Sequence, residues 1–207
     1  MNDAALQACS HRCGGLAAVG LAGCSSASTP PSPSLPLSSA RNALPSHGAP
    51  AVPAPIASTA EVESDPCRAV STAEVEALGT KVVNAAPEGD QSGKSCVWTY
   101  AGEYGTINAG LTPGNKDGLS SLYASSEDGT LTSFTPLPPI DGYPAVTYAQ
   151  GGEGEGVCTL AAGVRDDLLY TVIARLDTGN PHRSDPCGVA VKIASFGIQH
   201  LKSTHRS

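Results

Sequence analysis

Alternating apolar and polar residues predict β-strands in the second half of the chain. Cys96–Tyr100 alternates and is rich in β-favouring residues, and a glycine-bounded turn separates it from a second segment of the same kind. Two later segments face each other across a polar turn and read as a second hairpin. The predicted strands are 96–100, 106–111, 145–148, 158–164 and 168–174. About five strands in a mostly antiparallel sheet are therefore expected.

Helix signals precede and follow these strands. Asp65 is a suitable N-cap with a proline after it, Ser71 and Glu74 form a capping-box pair, and Gly79 is a natural stop. An N-terminal helix is expected between Asp65 and Gly79. A short helix is expected over 119–125.

The last helix is the most clearly patterned element. Asp185 caps it and Pro186 opens it. One face carries a polar stripe and the opposite face is apolar. The stripe is Lys192, Ser195, Gln199 and Lys202; the apolar residues are Val189, Ile193 and Phe196. Gly197 lies within this helix and is expected to permit close packing on the sheet, at a cost of about 1 kcal/mol relative to Ala. The resulting fold class is α+β, with a mostly antiparallel sheet packed by an N-terminal and a C-terminal helix.

The N-terminal region resembles a bacterial lipoprotein signal. A short apolar run at 14–20 leads to Leu21-Ala22-Gly23-Cys24, in which small residues precede a cysteine. The stretch before that run is weakly basic, with Arg12 as its one firm positive charge. The alternative is an ordinary Ala/Gly-rich N-terminus with a free cysteine. We expect residues 1–23 to be a signal peptide and Cys24 to be lipidated.

Residues 24–64 are dominated by Ser, Pro and Ala and show no apolar period. Tracts of this composition stay extended and semi-rigid. We therefore expect the lipidated Cys24 and a disordered linker over 24–64, followed by one α+β domain over 65–207. No apolar run in the sequence approaches the 18 or so residues that a membrane span requires, so the expected anchor is lipid alone.

The chain of 207 residues has a net charge of −7. An acidic chain without a basic patch argues against nucleic acid as a partner. The same charge argues against attraction to anionic lipid head groups. The expected location is the extracytoplasmic face of the cell membrane, reached through the lipid anchor.

Four of the seven cysteines fall in the expected domain, and they are well separated in sequence: Cys67, Cys96, Cys158 and Cys187. Such a set in an exported domain reads as two disulfides, with a zinc site as the alternative. Zinc ligands usually come in close pairs, and none occurs here. Of the three connectivities, we favour Cys67–Cys96 and Cys158–Cys187, because each joins an Asp-Pro-Cys helix start to a strand cysteine at the same spacing.

Several short motifs match an actinobacterial cell-envelope lipoprotein family of the LprB/LprC type, whose members carry a domain of unknown function. They are Asp65-Pro66-Cys67, the segment 71–75, Cys96-Val97-Trp98-Thr99, Gly142-Tyr143-Pro144-Ala145-Val146, Cys158 in a strand, and Asp185-Pro186-Cys187. The chain resembles this family from Asp65 to the C-terminal helix. It departs from the family in its weakly basic N-terminus and in Ser71-Thr72, where Thr-Pro is expected. The resemblance implies no activity and no active-site residues.

Other candidate chemistry is weak. Gly93-Lys94-Ser95 lacks the glycine spacing of a phosphate loop and precedes a strand. The acidic, Gly-rich segment 151–156 reads as a flexible hairpin loop, with weak calcium binding through Glu153 and Glu155 as the alternative. Asp166-Asp167 reads as a turn. The imidazoles of the expected domain, His182, His200 and His205, lie in a polar turn and near the C-terminus.

We therefore expect no catalytic, cofactor-binding or metal-binding residues. The expected function is that of a lipid-anchored binding or interaction domain, with an envelope protein, a lipid or a small solute as partner. The alternatives are an envelope hydrolase with an unrecognised site and an accessory or sensory lipoprotein.

Overall fold

A computed structural model of the chain describes residues 43–90 and 93–204. The expected signal peptide and the lipidated Cys24 lie outside these residues. In the described part, no helix is both long and apolar enough to cross a membrane.

Seven strands form one open sheet in which every neighbouring pair is antiparallel. The spatial order is β1-β2-β3-β7-β6-β5-β4. The strands are β1 (Val82–Asp90), β2 (Gly93–Tyr100), β3 (Gly105–Leu111), β4 (Ser133–Ile140), β5 (Tyr143–Ala149), β6 (Val157–Arg165) and β7 (Leu168–Leu176). The α+β class and the antiparallel sheet are confirmed, but the sheet has seven strands rather than about five.

The two strands that the sequence pattern did not predict are the edges of the sheet. β4 contains three prolines, which cannot donate to a strand ladder, and only Ile140 in it is buried. β1 has a register irregularity after Val82, a proline at position 87, and acidic residues at its end. Edge strands commonly carry prolines, bulges and charges because these hinder pairing with another chain. Both edges of this sheet are protected in this way.

The expected single N-terminal helix is not what forms between Asp65 and Gly79. The structure has α1 (Ala60–Ser64), a 3-10 turn (Pro66–Arg68) and α2 (Thr72–Glu76). The capping box is present: the Ser71 hydroxyl accepts a bond from the Glu74 N–H at 3.3 Å, and the Glu74 carboxylate accepts from the Ser71 N–H at 2.8 Å. That box starts a new helix at Thr72 instead of continuing an earlier one, so the region breaks into short turns.

The C-terminal helix α4 (Pro186–Thr204) packs on β6 and β7. Ile193, Ile198 and Leu201 are fully buried there, whereas Phe196, which was expected on the same apolar face, is only partly buried. Gly197 faces the ring of Tyr170 in β7. On its polar side, Ser195 donates to the Asp141 carboxylate at 2.6 Å, which fastens the helix to the β4–β5 turn.

Residues 43–59 form a strap that packs on the domain, so the expected disordered linker is wrong for this part of it. The Ile56 N–H donates to the Val164 carbonyl at 3.0 Å, and the Val52 N–H donates to the Asp166 carboxylate at 2.8 Å. Ile56 is 1% exposed. Val52 and Ile56 of this strap add apolar side chains to the core. The high Pro and Ala content of the segment gave no sign of this contribution. The ordered domain therefore begins before Asp65.

The sheet has two unequal faces. One carries α4, α2, the 3-10 turn and the main core, which includes Trp98, Tyr100 and Tyr170. The other carries α3 (Leu119–Glu127) and the start of the strap over a smaller apolar cluster. That cluster is Ala49, Leu119, Leu122, Val146, Ala161 and Leu169.

Candidate functional site

Two disulfides join the four cysteines of the domain. Cys67 pairs with Cys96, with Cα atoms 4.7 Å apart, and Cys158 pairs with Cys187, with Cα atoms 5.2 Å apart. These are the pairs that the matched 29-residue spacings favoured. Each bond ties the start of a helical segment to an inner strand, β2 or β6, on the covered face of the sheet. The cysteines therefore have a structural role here and do not hold a metal ion.

The less covered face of the sheet presents one side chain from every strand in a single line. The pairings connect these residues directly across the sheet: Ala86, Val97, Asn108, Ile173, Thr159, Tyr148 and Phe134. We call this line the row. All seven are partly exposed, whereas their chain neighbours on the opposite face in β2, β3 and β7 are buried. The alternation of burial along those three strands shows that the row lies on the solvent side.

The row is open because the helices lie elsewhere. On this face α3 reaches β6 near Gly163, where Leu119 sits close to the glycine, and Tyr123 of α3 stacks edge-on against Phe134 at 4.9 Å between ring centroids. The α1, α2 and 3-10 segments contact β1, β2 and β3 from the core side. The β1, β2, β3 and β7 part of the row is thus not covered by any helix of the described residues. We call it, with Thr159, the open face. Tyr148 and Phe134, at the other end of the row, pack against the small apolar cluster beneath α3.

The open face is uncharged along the row, and one cation borders it. Arg175 is exposed and points to the same side as Ile173, two residues along β7. The ion pairs of the described residues involve other basic side chains: His47, Arg68, Arg165 and Arg183. Backbone N–H groups, chiefly that of Gln150, lower the pKa of Glu153, and the charge of Arg175 adds a smaller contribution. Glu88, in the edge strand β1, points to the same face of the sheet and lies on the opposite side of the row from Arg175.

A small pocket of about 250 Å³ lies between the strap and α3. The His47 imidazole contacts the Glu127 carboxylate at 2.8 Å, and three serines line the space: Ser46, Ser120 and Ser121. The Ser120 hydroxyl accepts from the Ser46 N–H at 2.8 Å, and the Ser121 hydroxyl donates to the Gly118 carbonyl at 2.8 Å. The hydroxyls of Ser120 and Ser121 thus form hydrogen bonds with backbone groups. Sequence reasoning missed His47 because it assigned the residue to the linker.

Comparison with known proteins identifies the family. The model of a family described as "Protein of unknown function (DUF3558)" matches residues 19–200. The chain belongs to the DUF3558 family. No curated protein and no solved structure matches it.

The acidic glycine loop of this DUF3558 protein is a turn built on Glu153. The Glu153 carboxylate accepts the N–H groups of Gln150 at 2.8 Å and Gly151 at 2.7 Å. These backbone donors stabilise the carboxylate and lower the pKa of Glu153. Glu155 points elsewhere and pairs with Arg183 at 2.9 Å. The two acids therefore do not converge as calcium ligands.

The other motifs of the DUF3558 domain also have structural roles. Asp166 binds the strap, and Asp167 accepts from Arg165 at 2.9 Å, so the acidic pair forms a turn as expected. Gly93-Lys94-Ser95 begins β2. His182 lies in a turn, the Nε2 atom of His200 is buried without a hydrogen bond, and His205 lies outside the described residues. Across residues 43–90 and 93–204, no group of three or more His, Cys, Asp or Glu residues could hold a metal ion.

Proposed function

We propose that this DUF3558 protein is an extracytoplasmic lipoprotein, anchored in the cell membrane through Cys24, that binds its ligand or partner on the open face of the sheet. The observation that carries the binding role is the row of seven partly exposed side chains. A sheet that buries one face under its core and leaves a continuous line of mixed side chains on the other offers a broad, rigid platform.

The location rests on two features of the chain. Leu21-Ala22-Gly23-Cys24 follows an apolar run, as in lipoprotein signals. Two disulfides in one small domain are typical of proteins that fold in an oxidising compartment. A diacylated cysteine would supply the two acyl chains that stable anchoring requires.

Replacing Cys24 tests the anchor. Cys24→Ser should abolish incorporation of radiolabelled palmitate and release the protein from carbonate-washed membranes. Val83→Ala, a substitution at an exposed site of the folded domain, is the control and should keep the label. Equal membrane retention of Cys24→Ser and the unaltered protein would contradict lipid anchoring.

The open face is a better candidate for binding than the edges of the sheet. β4 is blocked by prolines at 136, 138 and 139, and β1 by a register irregularity and Pro87. A partner that added a strand would need free backbone groups, which such edges present poorly. Contacts with a partner must therefore be made by side chains rather than by backbone groups. Ile173 lies near the middle of the side chains on the open face.

A photo-crosslinking amino acid placed at position 173 of the full chain in its host membrane tests the binding role. The matched control is position 83, because Val83 is an exposed apolar residue (61%) on the edge strand β1, three strands from Ile173. We expect a discrete adduct from position 173 and none from position 83. Adducts of equal yield from both positions, or none from 173, would contradict the proposal.

A hydrolase remains a second candidate because of the His47 pocket. The His47 imidazole pairs with the Glu127 carboxylate, and three serines line the same pocket. A serine that came within hydrogen-bond reach of this imidazole on substrate binding would be activated as a nucleophile. Ser46 is the one serine of the pocket whose hydroxyl is not engaged in the contacts described above. It would have to serve as the nucleophile, with His47 as base and Glu127 as the orienting group.

A fluorophosphonate probe separates this second candidate from the first. Covalent labelling that is lost in both Ser46→Ala and His47→Ala, but retained in Ser126→Ala, would favour a hydrolase. An unlabelled protein would leave the binding role as the proposed function.

A further inference from the structure

The row has a chemical pattern that narrows the class of ligand. Across β2, β3, β7 and β6, the side chains of the open face alternate between apolar and hydrogen-bonding groups: Val97, Asn108, Ile173 and Thr159. We infer that the row binds an extended glycan of pyranose units laid across the strands. This inference rests on the proposed function of the open face.

Spacing favours a glycan over an extended peptide. Successive side chains of the row belong to neighbouring strands, which lie about 4.8 Å apart. That distance is close to the repeat of one pyranose unit in an extended glycan. The side chains on one face of an extended peptide repeat at about 6.8 Å, so a peptide laid along the row would lose register within two or three contacts.

The chemistry of the row also fits sugars. A pyranose ring has apolar C–H faces, which pack on apolar side chains such as those of Val97 and Ile173. Its hydroxyl and acetamido groups both donate and accept hydrogen bonds, and the Asn108 amide can do the same. Thr159 adds a hydroxyl of the same kind one step beyond Ile173.

Two charged side chains flank the row and make its two sides unequal for a glycan with carboxylate substituents. Arg175 lies on one side of the row and Glu88 on the other, both on the open face. Carboxylate substituents would therefore be favoured next to Arg175 and repelled next to Glu88. A densely charged polyanion would be opposed by the net charge of −7.

Titration of the full chain in detergent with two defined oligosaccharides tests the inference. Chitohexaose is uncharged, and a hyaluronan hexasaccharide carries carboxylates. We expect chitohexaose to bind, and Asn108→Ala to weaken it about tenfold, the effect of losing one or two good hydrogen bonds. Ile173→Arg should abolish binding, while Val83→Arg should leave it unchanged. Arg175→Ala should weaken binding of the hyaluronan fragment and leave binding of chitohexaose unchanged.

The outcomes distinguish this inference from the proposed function. Thermal melting checks that each variant is folded. If Ile173→Arg does not fold, Asn108→Ala, at a partly exposed site, provides the test instead. The inference would be overturned if neither oligosaccharide binds at millimolar concentration. It would also be overturned if Asn108→Ala binds chitohexaose as tightly as the unaltered protein does. A protein or lipid adduct at position 173 without glycan binding would overturn the inference alone, whereas no adduct at 173 would overturn the proposed function.

Discussion

The ring of Tyr170 in β7 occupies the space that a side chain at position 197 of α4 would need. Gly197 is buried, and the Tyr170 side chain is fully buried beneath it. The missing side chain at 197 therefore lets the helix approach the sheet closely enough to cover the tyrosine. This contact explains a glycine in the middle of a 19-residue helix.

Gly197→Ala should destabilise the protein although alanine is the better helix former. The propensity gain of about 1 kcal/mol is outweighed by overlap with a ring that is fully buried, and we expect a net loss of about 1–2 kcal/mol in the free energy of unfolding. Chemical denaturation measures it. In a Tyr170→Leu background the same substitution should cost less; an equal cost in both backgrounds would show that the ring is not the cause.

Loss of the hydroxyl group should destabilise the protein at Tyr100 but not at Tyr170. The Tyr170 hydroxyl is buried without a hydrogen bond, whereas the Tyr100 hydroxyl donates to the Val75 carbonyl at 3.1 Å. Tyr100→Phe should lower the free energy of unfolding by about 1 kcal/mol, and Tyr170→Phe should leave it unchanged or raise it by up to about 1 kcal/mol. Equal losses in the two variants would contradict this reading of the core.

Stability should fall in alkaline solution through Tyr100. Burial raises the pKa of Tyr100 from its ordinary 10 to about 12. The unfolded chain releases this proton first, so the contribution of Tyr100 is fully present below pH 10 and is lost as the pH rises toward 12. Denaturation midpoints measured across this interval should decline less steeply in Tyr100→Phe; parallel curves for the two proteins would exclude Tyr100 as the source.

The strap should be an integral part of the folded domain. Ile56→Ala removes a side chain that is 1% exposed, and we expect a loss of about 2–4 kcal/mol in the free energy of unfolding. Val83→Ala, at an exposed site, is the control and should change stability by less than about 0.5 kcal/mol. Limited proteolysis should leave a fragment that retains His47 and Ile56. A stable fragment that begins near Glu61 would show that the strap is dispensable.

Local signals predicted the parts of the fold that local interactions determine. The hairpins at 96–111 and 158–174 follow from alternation and turn residues, and the Ser71–Glu74 box and the Asp185-Pro186 helix start follow from backbone capping. The two edge strands were missed because their prolines and polar residues protect the edges at the expense of the strand signal.

Long-range packing was beyond reach of the sequence pattern. The Pro- and Ala-rich composition of the strap is the same whether it extends into solvent or lies on the sheet; only the burial of Val52 and Ile56 distinguishes the two. The row could not be predicted from the sequence pattern for the same reason. Asn108 and Ile173 are each visible as outward residues of a strand, but only the register of the sheet brings them side by side.

Methyl NMR of the protein with isoleucine and valine labelling tests the central claim most directly, because neighbouring residues of β7 report on opposite faces. Ile173 lies on the open face, while Val172 is fully buried on the other. On addition of envelope extract from the host, the methyl signals of Ile173 and Val97 should shift or broaden, and those of Val172 should not. Shifts confined to the buried methyls, or to the Val83 signal at the edge, would contradict binding on the open face.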